Sequence, residues 1–145
     1  ITTVELADHV AAFEDAVQPP GAILLAREES DPRAFGVAVL DKAGQVVDIV
    51  EKPEVPPSNL AIGGIYLYDE RFWGFVDEAV SGKGEGFSIS DINRMYVERR
   101  AAALLNVGAE TWVDWGTPAA LLQASMMAKD GKLDPRPHRD EPQGN

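Results

Sequence analysis

The stretch Val37-Ala38-Val39-Leu40-Asp41-Lys42-Ala43-Gly44-Gln45-Val46-Val47-Asp48-Ile49-Val50-Glu51-Lys52-Pro53 decides how the chain folds. Two short apolar runs, Val37 to Leu40 and Val46 to Val50, flank Asp41-Lys42-Ala43-Gly44, whose composition is that of a turn. They read as the two strands of a β-hairpin. Glu51-Lys52-Pro53 ends the second strand, and Pro56-Pro57-Ser58-Asn59 makes an exposed loop. Ala61 to Tyr68, rich in Ile, Leu and Tyr, follows as a central strand. Gly63 and Gly64 sit inside it, and glycine there predicts a bulge or a close approach of something to the backbone.

Working back from the hairpin, Asp31-Pro32-Arg33 is turn chemistry and Ala22 to Ala26 is a short apolar run that reads as a buried strand. Before it, Thr2 and Glu5 have capping-box spacing, and Leu6, Val10, Phe13 and Val17 recur at helical intervals. The spacing predicts a helix from about residue 4 to 17, stopped by Pro19-Pro20-Gly21.

Working forward, Phe72, Phe75, Val76 and Ala79 give the next helix an apolar face, and Ser81-Gly82-Lys83-Gly84-Glu85-Gly86 breaks it. Ser90 is expected to N-cap a helix carrying Ile92, Met95 and Tyr96. Ala101 to Val107 and Thr111 to Asp114 read as strands, and Thr117-Pro118 opens a helix to about Lys129. From Asp134 to the end, prolines and mixed charges predict a disordered tail, which leaves 1–133 as the folded part. Strands and helices alternate. The class is therefore α/β: a mixed, mostly parallel sheet with flanking helices.

Composition excludes several functions. The 145 residues suit one domain with a sizeable core. Against 24 Asp and Glu stand 13 Lys and Arg, a formal charge of −11, which repels nucleic acid and an anionic membrane alike. With no cysteine there is no disulfide, thiolate metal site or thiol nucleophile. No apolar run approaches a membrane span, and no basic region followed by an apolar stretch marks a signal peptide, so a cytoplasmic location is expected. His9 and His138 are isolated, and Ser88, Ser90 and Ser125 have no histidine to form a triad with.

Three segments bring polar or flexible residues to strand ends, where open α/β sheets keep their ligands. Gly36 either lets a ligand approach the main chain or is a strand-start glycine. Glu51 and Lys52 form either an exposed ion pair or a carboxylate for sugar hydroxyls beside an ammonium for a phosphate. Asp114, in Trp112-Val113-Asp114-Trp115-Gly116-Thr117, either caps a turn or supplies one of the few carboxylates that Mg²⁺ takes from a protein. Lys83, in the glycine-rich stretch, is either a phosphate contact or a solvated lysine.

Together, Asp31-Pro32-Arg33-Ala34-Phe35-Gly36-Val37, Glu51-Lys52-Pro53, Asn59 to Asp69, Ser88-Ile89-Ser90-Asp91-Ile92-Asn93 and Trp112 to Thr117 resemble, in that order, the sugar-1-phosphate nucleotidyltransferases, above all those of the glucose-1-phosphate thymidylyltransferase type. The resemblance spans about residues 1 to 128. It implies transfer of a nucleotidyl group from a nucleoside triphosphate to a sugar 1-phosphate with release of pyrophosphate, helped by Mg²⁺, on the second half of a Rossmann-like domain. By position it implies Asp114 as a Mg²⁺ carboxylate, Lys52 on the sugar's phosphate, Glu51, Gly36 and the backbone around Ile62 on the sugar, and Tyr66 lining the pocket. The glycine-rich triphosphate loop and the second metal carboxylate of that family would precede Ile1. A chain without them is expected to be inactive by itself, and to pair with the missing half or self-associate through exposed strand edges. The alternative is a non-catalytic regulatory or assembly module on the same fold.

Overall fold

The structure is a computed structural model, and it describes residues 6–16, 19–108 and 118–131, without the side chains of 83 and 85. The capping box of Thr2 and Glu5, the strand expected at Thr111 to Asp114, the cap at Thr117 and the tail lie outside the described residues. The chain divides into two compact units, one of residues 5–109 and one of residues 1–4 with 110–145.

In the first unit, helix α1 (Leu6–Glu14) is followed by β1 (Ala22–Glu28), β2 (Gly36–Leu40), β3 (Val46–Glu51) and β4 (Leu60–Tyr68), then α2 (Arg71–Lys83), α3 (Ile89–Glu98) and β5 (Ala102–Asn106). The strands form one sheet in the order β3-β2-β4-β1-β5, which makes β4 central as expected. The hairpin is present, with Gly36 opposite Glu51 and Val37 opposite Val50. Asp41 closes its turn by accepting hydrogen bonds from the backbone N–H groups of Ala43 (2.8 Å) and Gln45 (2.9 Å).

The sheet is mixed, but its balance differs from the expected mostly parallel one. Among the described strands only β1 and β5 run parallel, while β1/β4, β2/β3 and β2/β4 are antiparallel. A parallel pair needs a long crossover, and between β1 and β5 the chain supplies one that includes α2 and α3. The hairpin and the return of β4 between β2 and β1 supply the antiparallel pairs.

Side chains from both ends of the sheet and from α2 and α3 share one core, with Leu24, Ala26, Ala38, Ile49, Ile92 and Tyr96 among its buried members. Two local expectations change. Helix α2 runs on through Ser81 and Gly82 to Lys83 and ends at Gly84, whose φ of 60° suits only glycine well. Helix α3 is capped by Ser88, not Ser90: the Ser88 N–H donates to the Asp91 carboxylate at 2.9 Å, completing a capping box. Ser90 is thereby placed inside the first turn with its hydroxyl available for another task.

In the second unit, α4 (Pro118–Lys129) begins at the expected proline, and the Ser125 hydroxyl donates to the Leu121 carbonyl at 2.9 Å. Leu122 and Met126 on this helix are exposed, as is Trp73 on α2 in the first unit. No helix among the described residues is long and apolar enough to cross a membrane.

Candidate functional site

The cavity of interest opens where the end of β3, the start of β2, the middle of β4 and the first turn of α3 meet. It has a volume of about 260 Å³ and is lined by Gly36, Glu51, Ile62, Tyr66, Ser90 and Asn93, together with the Phe35 and Gly63–Gly64 segments. Gly36, Glu51, Ile62 and Tyr66, all expected around a sugar, are therefore brought together. Lys52 is exposed directly after Glu51. Asp114 and the Lys83 side chain lie outside the described residues.

Three local features shape this cavity. The approach to Gly36 is held by Asp31, which accepts from the Arg33 guanidinium at 2.7 and 2.6 Å. That hydrogen bond holds the exposed Asp31 carboxyl down at about 2. A Cβ on Gly36 would meet Glu51 Oε2 at 3.2 Å and Ile49 Cγ2 at 3.3 Å. Space, not backbone freedom, thus explains the glycine, which leaves room for the Glu51 carboxylate.

The second feature is a bulge in β4. From Leu24 to Ala26, β1 advances two residues, while the partners on β4 go from Tyr66 back to Ile62. The two extra residues fall in Gly63-Gly64-Ile65, as the glycines suggested. The third is Lys52, whose φ of 46° is left-handed and unusual for a side-chain-bearing residue. Its N–H donates to the Phe35 carbonyl at 3.0 Å, which ties it to the loop before Gly36. Strain of this kind persists where the surroundings fix it, and it gathers at functional sites.

Two cavity residues carry roles that the sequence reading did not assign. The Ser90 hydroxyl donates to Glu51 Oε2 at 3.2 Å. Asn93, three residues on and only 2% exposed, accepts the Tyr68 hydroxyl proton on its Oδ1. The i, i+3 spacing puts both on one face of a helix, the signal that could have found them. The phenol of Tyr66 is pushed up chiefly by burial, with hydrogen bonding from Asn93 opposing and the nearby Glu51 charge adding. Burial likewise leads the upward shifts of Tyr68 and Tyr96.

These raised phenols set an alkaline limit. The folded state keeps each hydroxyl neutral, whereas an unfolded tyrosine ionises near about pH 10. Their contribution is intact below that value and is lost as the pH rises through the folded values. Thermal midpoints measured between about pH 8 and 11 should fall steeply at the upper end, and Tyr68→Phe should flatten the fall. An unchanged slope in that variant would remove Tyr68 from the explanation.

Comparison with known proteins agrees with this geometry. A profile of the family described as Nucleotidyl transferase matches residues 1–131. The chain is similar to the glucose-1-phosphate thymidylyltransferases of Xanthomonas campestris, 35% identical over 106 residues, and Neisseria meningitidis, 37% over 112. These matches take in 72% and 76% of this chain but only 36% and 38% of the relatives, so the chain aligns with little more than a third of their length. A solved structure from Bacillus anthracis, named for the same enzyme and in complex with sucrose, superposes with a TM-score of 0.78 at 34% identity, covering 90% of this chain and 51% of that one. An apo UDP-glucose pyrophosphorylase shares the fold, with a TM-score of 0.74 at 22% identity over 92% of this chain and 51% of that one. The expected Rossmann-like α/β class is thus found, and the chain belongs to the nucleotidyl transferase family, related to its sugar-1-phosphate enzymes.

Proposed function

We propose that this chain is the sugar-phosphate-binding half of a sugar-1-phosphate nucleotidyltransferase of nucleotide-sugar biosynthesis. The observation that carries the reading is the convergence of Gly36, Glu51, Ile62 and Tyr66 on one cavity, with the exposed Lys52 following Glu51 in the chain. Glu51 accepts hydrogen bonds from sugar hydroxyls, and the Lys52 ammonium neutralises the phosphate. A phosphate oxygen of the sugar phosphate then attacks the α-phosphorus of a nucleoside triphosphate. The bond from that phosphorus to the departing pyrophosphate breaks, and no covalent enzyme intermediate is needed. Such chemistry asks chiefly for positioning and charge neutralisation.

The reading assigns Mg²⁺ to Asp114. Among the described residues no group of three or more His, Asp or Glu is placed to hold a metal, so the assignment rests on Asp114 and the family resemblance. The ion, when bound, neutralises phosphate charge. Lys83 is assigned a supporting phosphate contact. The chain matches only 36% of the length of its Xanthomonas relative, and the reading assigns triphosphate binding to a segment or chain beyond the matched part. The exposed Leu122 and Met126, four residues apart on α4, favour association with such a partner or between copies.

Calorimetry of the full chain with glucose 1-phosphate, with and without a complementary triphosphate half, tests the reading. Binding is expected, and Lys52→Gly should weaken it about tenfold or more, in line with loss of a charged hydrogen bond. Because glycine suits the left-handed φ at that position, the same variant should keep its thermal midpoint. No binding under either condition would favour a non-catalytic module.

A further inference from the structure

Tyr68 does not line the cavity, yet its hydroxyl donates to Oδ1 of Asn93, which does. A phenol proton held on Oδ1 fixes which way round the Asn93 amide sits. The acceptor end is committed to Tyr68, and the two N–H donors are the end left for the cavity. Tyr66 is the phenol on that wall, stacked on Tyr68 with ring centroids 5.8 Å apart. An oxygen that receives an amide N–H keeps its own proton for a third group.

We propose that Asn93, oriented by Tyr68, is a specificity-determining positioning residue: it turns its amide N–H groups to the Tyr66 side of the cavity, so that the Tyr66 hydroxyl donates to the ligand. The proposal rests on the sugar-phosphate reading above and adds a polarity to it. Glu51, which already accepts from Ser90, is the acceptor of the site, and Tyr66 is its donor. The cavity therefore selects a sugar phosphate that presents a hydroxyl proton toward Glu51 and an oxygen lone pair toward Tyr66.

The test is Tyr68→Phe, a variant that removes one hydroxyl outside the cavity. It is measured by calorimetry on the full chain with glucose 1-phosphate and its monodeoxy analogues, beside Tyr66→Phe and the double variant. Tyr68→Phe should weaken glucose 1-phosphate about five- to tenfold, the scale of one hydrogen bond. It should also reduce discrimination against the one deoxy analogue that lost the Tyr66 contact, and in the Tyr66→Phe background it should change almost nothing. A loss merely of structure would lower affinity for every analogue equally and would add to Tyr66→Phe, and that result overturns the proposal. If wild-type chain binds no sugar phosphate, the functional reading fails by itself, and alkaline tyrosinate absorbance still decides the inference. The Tyr66 transition, identified by its loss in Tyr66→Phe, should move to higher pH in Tyr68→Phe if Asn93 donates to it, and an unmoved transition refutes the inference. Asn93→Asp, which keeps the shape and removes the donors, should reproduce both effects if it folds.

Discussion

Tyr96→Ala is expected to lower the unfolding free energy by about 3–5 kcal/mol, the range for removing a large buried aromatic. Tyr96 is fully buried, and its ring stacks on Tyr68 with centroids 5.4 Å apart and meets Phe75 edge-on at 4.6 Å. Its hydroxyl donates to Asp69 Oδ1 at 3.0 Å. The Asp69 carboxylate also receives the Arg71 backbone N–H at 3.1 Å and the Arg71 side chain at 2.6 Å, at the start of α2. One side chain thus joins α3 to the end of β4 and the entry of α2, so its removal leaves a cavity and an unbalanced helix start together. A domain with about 5–15 kcal/mol in total has little left after such a loss. Tyr96→Phe separates the contributions: it keeps the ring and should lose only about 1 kcal/mol. Urea unfolding of the two variants beside wild type checks both numbers, and a loss under about 1 kcal/mol for alanine would mean that the ring is not the keystone the packing indicates.

Glu51→Ala is the substitution with the largest expected effect on binding, a loss of about ten- to a hundredfold in affinity for glucose 1-phosphate. The Glu51 carboxylate is the charged acceptor of the cavity, held by Ser90 on one side and passing close to Gly36, where even a Cβ would crowd it. Hydrogen bonds to a charged group exceed those to a neutral one, so Glu51→Gln should fall between alanine and wild type. Stability should hardly move, since Glu51 is exposed and its bond to Ser90 lies at the rim of the fold. Calorimetry and thermal melting on the same preparations separate the two quantities. Unchanged affinity in Glu51→Ala would remove the sugar from this cavity.

Much of the fold was legible because local chemistry and tertiary structure agree. The Asp41 turn, the apolar runs beside it and the glycines of β4 each sit where pattern alone puts them. Strand direction was not legible, because whether β4 pairs parallel or antiparallel with β1 is decided by contacts far apart in sequence, not by the composition of either strand. The cap of α3 was misplaced between two serines, although the Asp three residues after Ser88 distinguishes them by supplying the reciprocal bond. At the site, Gly36 and Glu51 are marked by their strand-end positions, Ile62 and Tyr66 by resemblance alone, and the fold joins the four. The left-handed Lys52 carries no sequence mark, because nothing but glycine, asparagine or aspartate advertises that conformation. Asn93 carries no mark in the sequence, because its bond with Tyr68 joins residues 25 apart in the chain.

The surplus in β4 has a consequence for how this strand can be edited. Two residues is an even number, so excising Gly63 and Gly64 together would set Ile65 opposite Leu25 while Ile62 and Tyr66 kept their present partners. Every downstream side chain would stay on its own side, and the ladder would become regular. Such a shortened chain is expected to fold, with an unchanged circular dichroism spectrum, and to lose glucose 1-phosphate binding along with the cavity wall those glycines form. On this account the ladder is complete without the pair, and what the two glycines add is cavity wall.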